Sequence, residues 1–217
     1  MQNDVRIDRK KLHPYLDYML GLMLKYCNEE GVYLIITEGY RTVADQDALY
    51  AIGRTKEKNR RPVTNAQGWQ YQSQHQWGIA FDIAIKNEGH LWDESYFRKA
   101  ANIAKKHCKA LGWGGDWTLV EDGIVDTPHF YIKKWGKNTK KLRDAYKTPD
   151  VFAKTWRKQV FGTKNGLSIR KKNKTKVLVE KLPNGTVFEV LWQHAIWSKV
   201  RYNGKVGYAR TKYLKEV

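Results

Sequence analysis

The sequence predicts an α+β domain, helices around a small antiparallel sheet, followed by a small all-β barrel. Two observations carry that prediction. Through about residue 135, apolar residues recur at helical spacing and then at strand spacing, in alternation. Beyond residue 166 only short strand-like runs remain, separated by turn signals. Charge divides in the same way: residues 1–150 hold 24 Lys and Arg against 19 Asp and Glu, and residues 151–217 hold 16 against 3.

The elements follow in order. Leu12, Leu16, Met19, Met23 and Cys27 recur at helical spacing, so 12–29 is a helix closed by Gly31. Val32–Thr37 is a β-branched and aromatic run, hence a strand. Thr42 caps a helix to about Ile52, with Asp45 at the capping-box position and Gly53 as its stop. Residues 54–74 are polar and read as a long loop, usually a functional feature in a compact domain. In 79–85 the odd positions are bulky and apolar and the even ones are Ala, Asp and Ala. That period of two makes a strand with Asp82 on the face opposite the bulky residues. A helix over 94–111 ends at Gly112, the loop Trp113-Gly-Gly-Asp-Trp117 follows, and 126–132 is a further strand. Residues 137–165 read as a linker. Short strands around Pro183-Asn-Gly185 and Asn203-Gly-Lys205 then form the barrel. The division is 1–150, including the start of the linker, and 151–217, with the barrel over about 165–217.

With 217 residues, one or two domains are expected. The 41% apolar content, nine Trp and thirteen Tyr argue against disorder. Cys27 and Cys108 sit in apolar-periodic segments and read as small buried hydrophobes; there is no disulfide framework and no CxxC knuckle. The apolar stretch Tyr15–Leu24 follows basic residues like a signal peptide, but Asp17 interrupts it and no small-x-small site follows. No apolar run approaches the ~20 residues of a membrane span. The expectation is a monomer made in the cytoplasm, without an export signal and without membrane insertion. Of the net +18, +13 lies in 151–217, so the tail is the part built to meet a polyanion: nucleic acid, anionic lipid or an anionic wall polymer.

The constellation with chemistry in it is His75, Asp82 and His129, with Asp126 nearby. Two imidazoles and a carboxylate suit zinc and leave a fourth position to water, and Asp126, stiffened by Pro128, is placed to move that water's proton. By type and spacing alone the set is as readily an accidental grouping among six histidines as a metal site, and it is not the helical HExxH pattern.

The neighbouring residues go further. Ser73-Gln-His75-Gln-Trp-Gly78-Ile-Ala80-Phe-Asp82 resembles the SxHxxGxAxD signature of the M15 (VanY-type) zinc peptidases. Glu38-Gly-Tyr-Arg41-Thr, Gln46, Leu49–Thr55, Trp113–Trp117 and Asp126-x-Pro-His129-Phe are similar to the same family, in its order, over roughly 10–135. The resemblance is strongest to its branch of L-alanyl-D-glutamate endopeptidases in phage endolysins and Bacillus-type autolysins. It implies one Zn2+ per chain held by His75, Asp82 and His129, Asp126 as general base and Arg41 on the substrate carbonyl or oxyanion. Ser73, Gln46, Trp113 and Trp117 are further candidates for supporting the ligands or touching substrate. Where the family more often has a small residue stands Glu38. The loop 118–125 is longer than the family's, and its Glu121 and Asp122 are rival bases. The other histidines, His13, His90, His107 and His194, read as surface or capping residues.

From Gly166-Leu-Ser-Ile-Arg170 to Tyr213-Leu214 the tail is similar to bacterial SH3 (SH3b) domains, with Trp197, Tyr202 and Tyr208 as candidate wall-binding residues; Trp192 is another groove-or-core aromatic. The expected partners are therefore peptidoglycan and anionic wall polymers, with no specific nucleic acid, and the missing export signal favours a phage endolysin. Two alternatives stand beside this: a D-Ala-D-Ala carboxypeptidase or dipeptidase of the same family, and a basic nucleic-acid-binding protein.

Overall fold

The computed structural model describes residues 2–121 and 123–217, so the rival base Asp122 lies outside the described residues. The chain packs as two compact units, one comprising residues through Leu12 and Leu16–Pro149, the other Asp150–Val217 with His13–Tyr15.

The first unit is built on strands β1 (Asp4–Val5), β2 (Leu34–Glu38), β3 (Ala80–Ile85), β4 (Leu111–Trp113) and β5 (His129–Ile132), hydrogen-bonded in the order β1-β2-β3-β5-β4. Helices α1 (Pro14–Glu29), α2 (Val43–Ala51), α3 (Glu94–His107) and α4 (Lys140–Tyr146) complete it. The sheet is mixed rather than wholly antiparallel, because β1 runs parallel to β2. Two residues carry no readable alternation, so that edge had no sequence signal.

The core follows the predicted periods. Leu16, Leu20, Met23 and Cys27 of α1 are buried, as are Ile83 and Ile85 of β3; Phe81 stacks on its cross-strand neighbour Phe130 with ring centroids 5.7 Å apart. Burial pushes the Cys27 thiol up to about 12, that of a buried hydrophobe rather than a nucleophile. Ala80 and Ala84 are also buried, so both faces of β3 are covered and Asp82 alone is half-exposed.

Caps set the helix ends. Thr42 and Asp45 form the expected capping box of α2. Asp93 caps α3, which ends at His107 and not at 111; Gly112 is instead a residue of β4, where a Cβ would lie 2.4 Å from the Tyr131 ring. The loop 54–74 has little regular structure but is fastened to α2. Asp47 accepts from the Gly68 amide at 2.7 Å, and Arg54 donates to the Tyr50 carbonyl of α2 at 2.8 Å and to the Thr64 carbonyl at 3.0 Å. His13 is buried, not on the surface, and its Nδ1 accepts from the Tyr15 amide at 3.0 Å as a cap.

The segment expected to be a linker is largely regular. It holds α4, α5 (Pro149–Lys154) and β6 (Arg157–Val160), so the second sheet begins before the expected barrel start. That sheet continues with β7 (Leu167–Arg170), β8 (Leu178–Leu182), β9 (Val187–Gln193), β10 (Trp197–Tyr202), β11 (Lys205–Arg210) and β12 (Leu214–Glu216), in the order β12-β6-β9-β10-β11-β7-β8. Val160, Leu167, Ile169, Leu182, Phe188, Val190, Val200, Ala209 and Leu214 meet in one core, so every strand contributes to it. A sheet does this by coiling on itself. Asn203 and Gly204, both at positive φ, make the two-residue turn that the Asn-Gly pair predicts.

Candidate metal centre

Strand register assembles the site. Glu38 pairs with Asp82 across β2 and β3, and Asp82 pairs with His129 across β3 and β5. Directly opposed residues of antiparallel strands project from one face, so these three form a row across the sheet. His75 joins from a short 3₁₀ turn, Gln74–Trp77. Ser73 caps it reciprocally with Gln76, and Gly78 at φ 62° ends it, a left-handed conformation that favours glycine.

One ligand atom from each of His75, Asp82 and His129 lies within 4.8 Å of the others. His75 Nε2 is 3.3 Å and His129 Nδ1 is 2.9 Å from Asp82 Oδ1, and the two ring nitrogens are 3.2 Å apart. The remaining ring nitrogens are engaged elsewhere. His75 Nδ1 donates to the Gly39 carbonyl at 2.7 Å, and His129 Nε2 donates to Gln74 Oε1 at 2.8 Å. Gln74 Nε2 donates to the Gly136 carbonyl at 2.9 Å, which leaves its oxygen to face His129. Both tautomers are thereby set with a bare nitrogen turned to the same point, as metal-bound imidazoles require. Burial pushes the Asp82 carboxyl up, but the charges and hydrogen bonds of His75 and His129 outweigh that and hold it well below its ordinary value. Two imidazoles and a carboxylate fit zinc, and no fourth protein ligand joins them among the described residues.

The centre lies in a cleft of about 520 Å³, also lined by Arg41, Ser73, Gln74, Trp117, Glu121, Asp126, Lys137, Thr139 and Arg143. Arg41 donates from Nη1 to Gln46 Oε1 at 2.7 Å; its Nη2 is 3.4 Å from Glu38 and 3.9 Å from Asp82. Gln46 is fully buried, and its amide nitrogen is held by the Ala66 carbonyl at 2.9 Å, so its oxygen is presented to Arg41. Glu38 therefore adds a carboxylate beside the arginine. Ser73 Oγ accepts from the His75 amide at 3.3 Å. Burial raises the Asp126 carboxyl above its ordinary value against the pull of His129, with the Asp82 charge adding to the rise.

The two tryptophans separate. Trp117 walls the cleft, its ring 5.1 Å from that of His129 and its Nε1 donating to Tyr131. Trp113 is buried away from the cleft, its Nε1 donating to the Thr127 carbonyl at 2.7 Å, so it supports the turn before His129 and does not touch the opening. Glu121 is exposed at the rim and pairs with Lys137 at 3.8 Å. Sequence reasoning missed Gln74, which reaches His129 across 55 positions, and Arg143, which lines the cleft from α4; neither residue type announces such a role.

An α+β scaffold whose central strands β3 and β5, with the 3₁₀ turn before β3, turn two imidazoles and a carboxylate into one cleft has the arrangement of a mononuclear metal hydrolase. The family model for D-alanyl-D-alanine carboxypeptidase, VanY, matches residues 9–130, and that for the bacterial SH3 domain matches 165–215. The chain belongs to the VanY family of zinc-dependent peptidases and carries a bacterial SH3 domain. It is 36% identical over 124 residues to peptidoglycan L-alanyl-D-glutamate endopeptidase CwlK of Bacillus subtilis (strain 168), an alignment spanning 51% of this chain and 70% of CwlK. The vancomycin-resistance D,D-pentapeptidase VanY from a VanB-type cassette, solved with Zn(II), aligns with a TM-score of 0.44 and 19% identity over 56% of this chain and 72% of its own. Among the described residues no helix is long and apolar enough to cross a membrane.

Proposed function

We propose that this protein is a peptidoglycan hydrolase of endolysin type that cleaves the L-alanyl-D-glutamate bond of the peptide stem. The observation that carries the reading is the convergence of His75, Asp82 and His129, their tautomers set, in a cleft shared with Arg41 and Asp126. The printed activity of CwlK supports the choice of bond, and the SH3 unit supports a polymeric wall substrate.

His75, Asp82 and His129 hold the zinc. Zinc in such a site acts as a Lewis acid toward a carbonyl and lowers the pKa of water to ~7. Asp126, its affinity for protons raised by burial, takes a proton from the attacking water on its carboxylate and returns it to the departing amine. Arg41, with one arm held by Gln46, donates to the substrate carbonyl oxygen as negative charge develops there. Trp117 shields the ligands from bulk water on one side. The second unit binds the wall, with Trp197, Tyr202 and Tyr208 as its aromatic contacts. Tyr202 packs partly against the core, whereas Trp197 lines a separate cleft of about 350 Å³ under the Arg210 guanidinium.

Digestion of a purified wall tests the reading. New N-terminal D-glutamate (or D-isoglutamine) and free L-alanine carboxyl ends are expected. The second reading, favoured by the description of the matching family model, is a D-alanyl-D-alanine carboxypeptidase. Released D-alanine as the main product would establish that one instead, and new reducing sugar ends would exclude both.

A further inference from the structure

The wall of the cleft contributed by residues 136–143 holds a cation that the reaction just described does not use. Arg143 lines the cleft from α4, and its Nε is buried with no hydrogen-bond partner. Among the described residues it forms no ion pair, although Asp82, Glu121 and Asp126 line the same cleft. The wall beneath it is fixed. Gln74 donates to the Gly136 carbonyl at 2.9 Å, Thr139 donates to the Tyr71 carbonyl at 2.9 Å, and the Arg143 amide donates to the Thr139 carbonyl at 2.9 Å. The segment that carries Arg143 is thus tied to the residue that orients His129.

A buried guanidinium N–H left unpaired carries the full desolvation cost of a charged donor. Such a group is a candidate for pairing with something that enters the cleft. Its planar fork matches a carboxylate, to which it donates two parallel hydrogen bonds. Resting on the proposed function, the carboxylate in question is defined by the substrate's own chemistry. A glutamyl residue in a peptide keeps one carboxyl outside the chain linkage, whichever carboxyl carries the next residue. When that residue supplies the amine of the scissile bond, its free carboxyl sits within a few bonds of the reacting carbonyl. Amidation removes both the charge and the two-oxygen acceptor.

We infer that Arg143 is a specificity-determining residue: it anchors the free carboxylate of the glutamyl residue on the amine side of the cut, so that the enzyme discriminates free from amidated stems. Lys137 lies on the same wall and adds positive potential, shared with Glu121 at the rim.

The test uses the zinc-loaded 217-residue chain and four synthetic stem peptides, with the glutamyl carboxyl free or amidated and the C-terminal carboxyl free or amidated. The wild type is expected to cleave free-glutamyl peptides with kcat/KM roughly 10- to 100-fold above amidated ones, chiefly through KM, as loss of a charge-assisted hydrogen-bonded pair implies. Arg143→Gln should bring that ratio close to one, and Arg143→Lys, which keeps charge but not the fork, should fall between. Zinc content and thermal unfolding establish that each variant is folded; if the Gln variant is not, the Lys variant carries the comparison. A wild-type ratio near one, or a ratio unchanged in the variants, overturns the inference while leaving the peptidase reading intact. A variant effect that follows the C-terminal carboxyl instead assigns Arg143 to the wrong group and overturns it as well. Cleavage of none of the four peptides by the wild type removes the proposed function, and this subsite with it.

Discussion

Gln74 shows how much of the centre depends on a side chain with no ligand role. Its amide bridges the Gly136 carbonyl and His129 Nε2, so a single residue fixes both a cleft wall and a tautomer. Supports of this kind typically contribute 10- to 100-fold in metal affinity. Gln74→Ala should therefore weaken zinc binding by about that factor, read by competition with a chromogenic chelator. Asp126→Ala should keep zinc and lose most turnover, and His75→Ala should lose both. Loss of zinc from Asp126→Ala as complete as from His75→Ala would mean that Asp126 is itself a ligand. The contrast also shows what the sequence discloses. His75 and Asp82 lie seven positions apart on a short turn and the strand it feeds, so local spacing displays them together. Gln74 meets His129 across 55 positions, and only the register of β3 against β5 brings them within reach. Glu38 stood out by its type, but its pairing with Arg41 came from a bulged strand end that no residue pattern encodes.

Among the elements, those with a long period or a complete cap could be read directly: α1 from its apolar spacing, α2 from Thr42 and Asp45, β3 from alternation. Those that escaped are short. β1 has two residues, and α4 and α5 have seven and six in a basic stretch whose composition reads as solvent-facing. Short elements owe their form to packing more than to propensity. The strand β4 and the turn that follows it have a functional consequence. Gly114 accepts from the Asp126 amide at 3.1 Å, and a Cβ at this glycine would lie 2.4 Å from the Asp126 carbonyl oxygen. Backbone meets backbone there, so no side-chain rotation relieves the contact. Gly114→Ala should destabilise the fold by about 1–3 kcal/mol, the usual cost of overpacking, and should displace Asp126. The same Cβ would lie 3.1 Å from His129 Cβ, and the Asp126 carbonyl accepts from the His129 amide, so the expected signature is a kcat loss well beyond the stability loss, accompanied by weaker zinc binding. Full activity in a folded Gly114→Ala protein would show that the proton-moving group is not held by this contact.

For the molecule as a whole, charge and the candidate metal centre are separated along the chain: the second unit holds most of the net charge, and the first holds the cleft with the candidate ligands. Two kinds of wall attachment are open to such a unit, and salt distinguishes them. Attachment through charge alone falls steeply with ionic strength, because exposed charges are screened beyond ~8 Å at physiological salt. Attachment through an aromatic groove persists, because burial of apolar surface is not screened. The cleft of the second unit contains both features, with Arg170, Lys174, Lys176 and Arg210 around Trp197 and Tyr213. A mixed response is therefore expected of the Asp126→Ala chain, which on the proposed function should bind walls without cutting them. Binding should weaken across a salt series and level at a residual value on some walls and not on others. Replacing Lys174 and Lys176 by Gln should flatten the logarithmic salt dependence by roughly one to two units, about one per cation removed from a polyanion contact. Trp197→Ala should leave the slope and lower the residual binding at high salt several-fold. DNA serves as the polyanion control: equal affinity for DNA and for every wall, with the same slope and no residual, would reduce the second unit to a polycation and return the nucleic-acid reading to consideration.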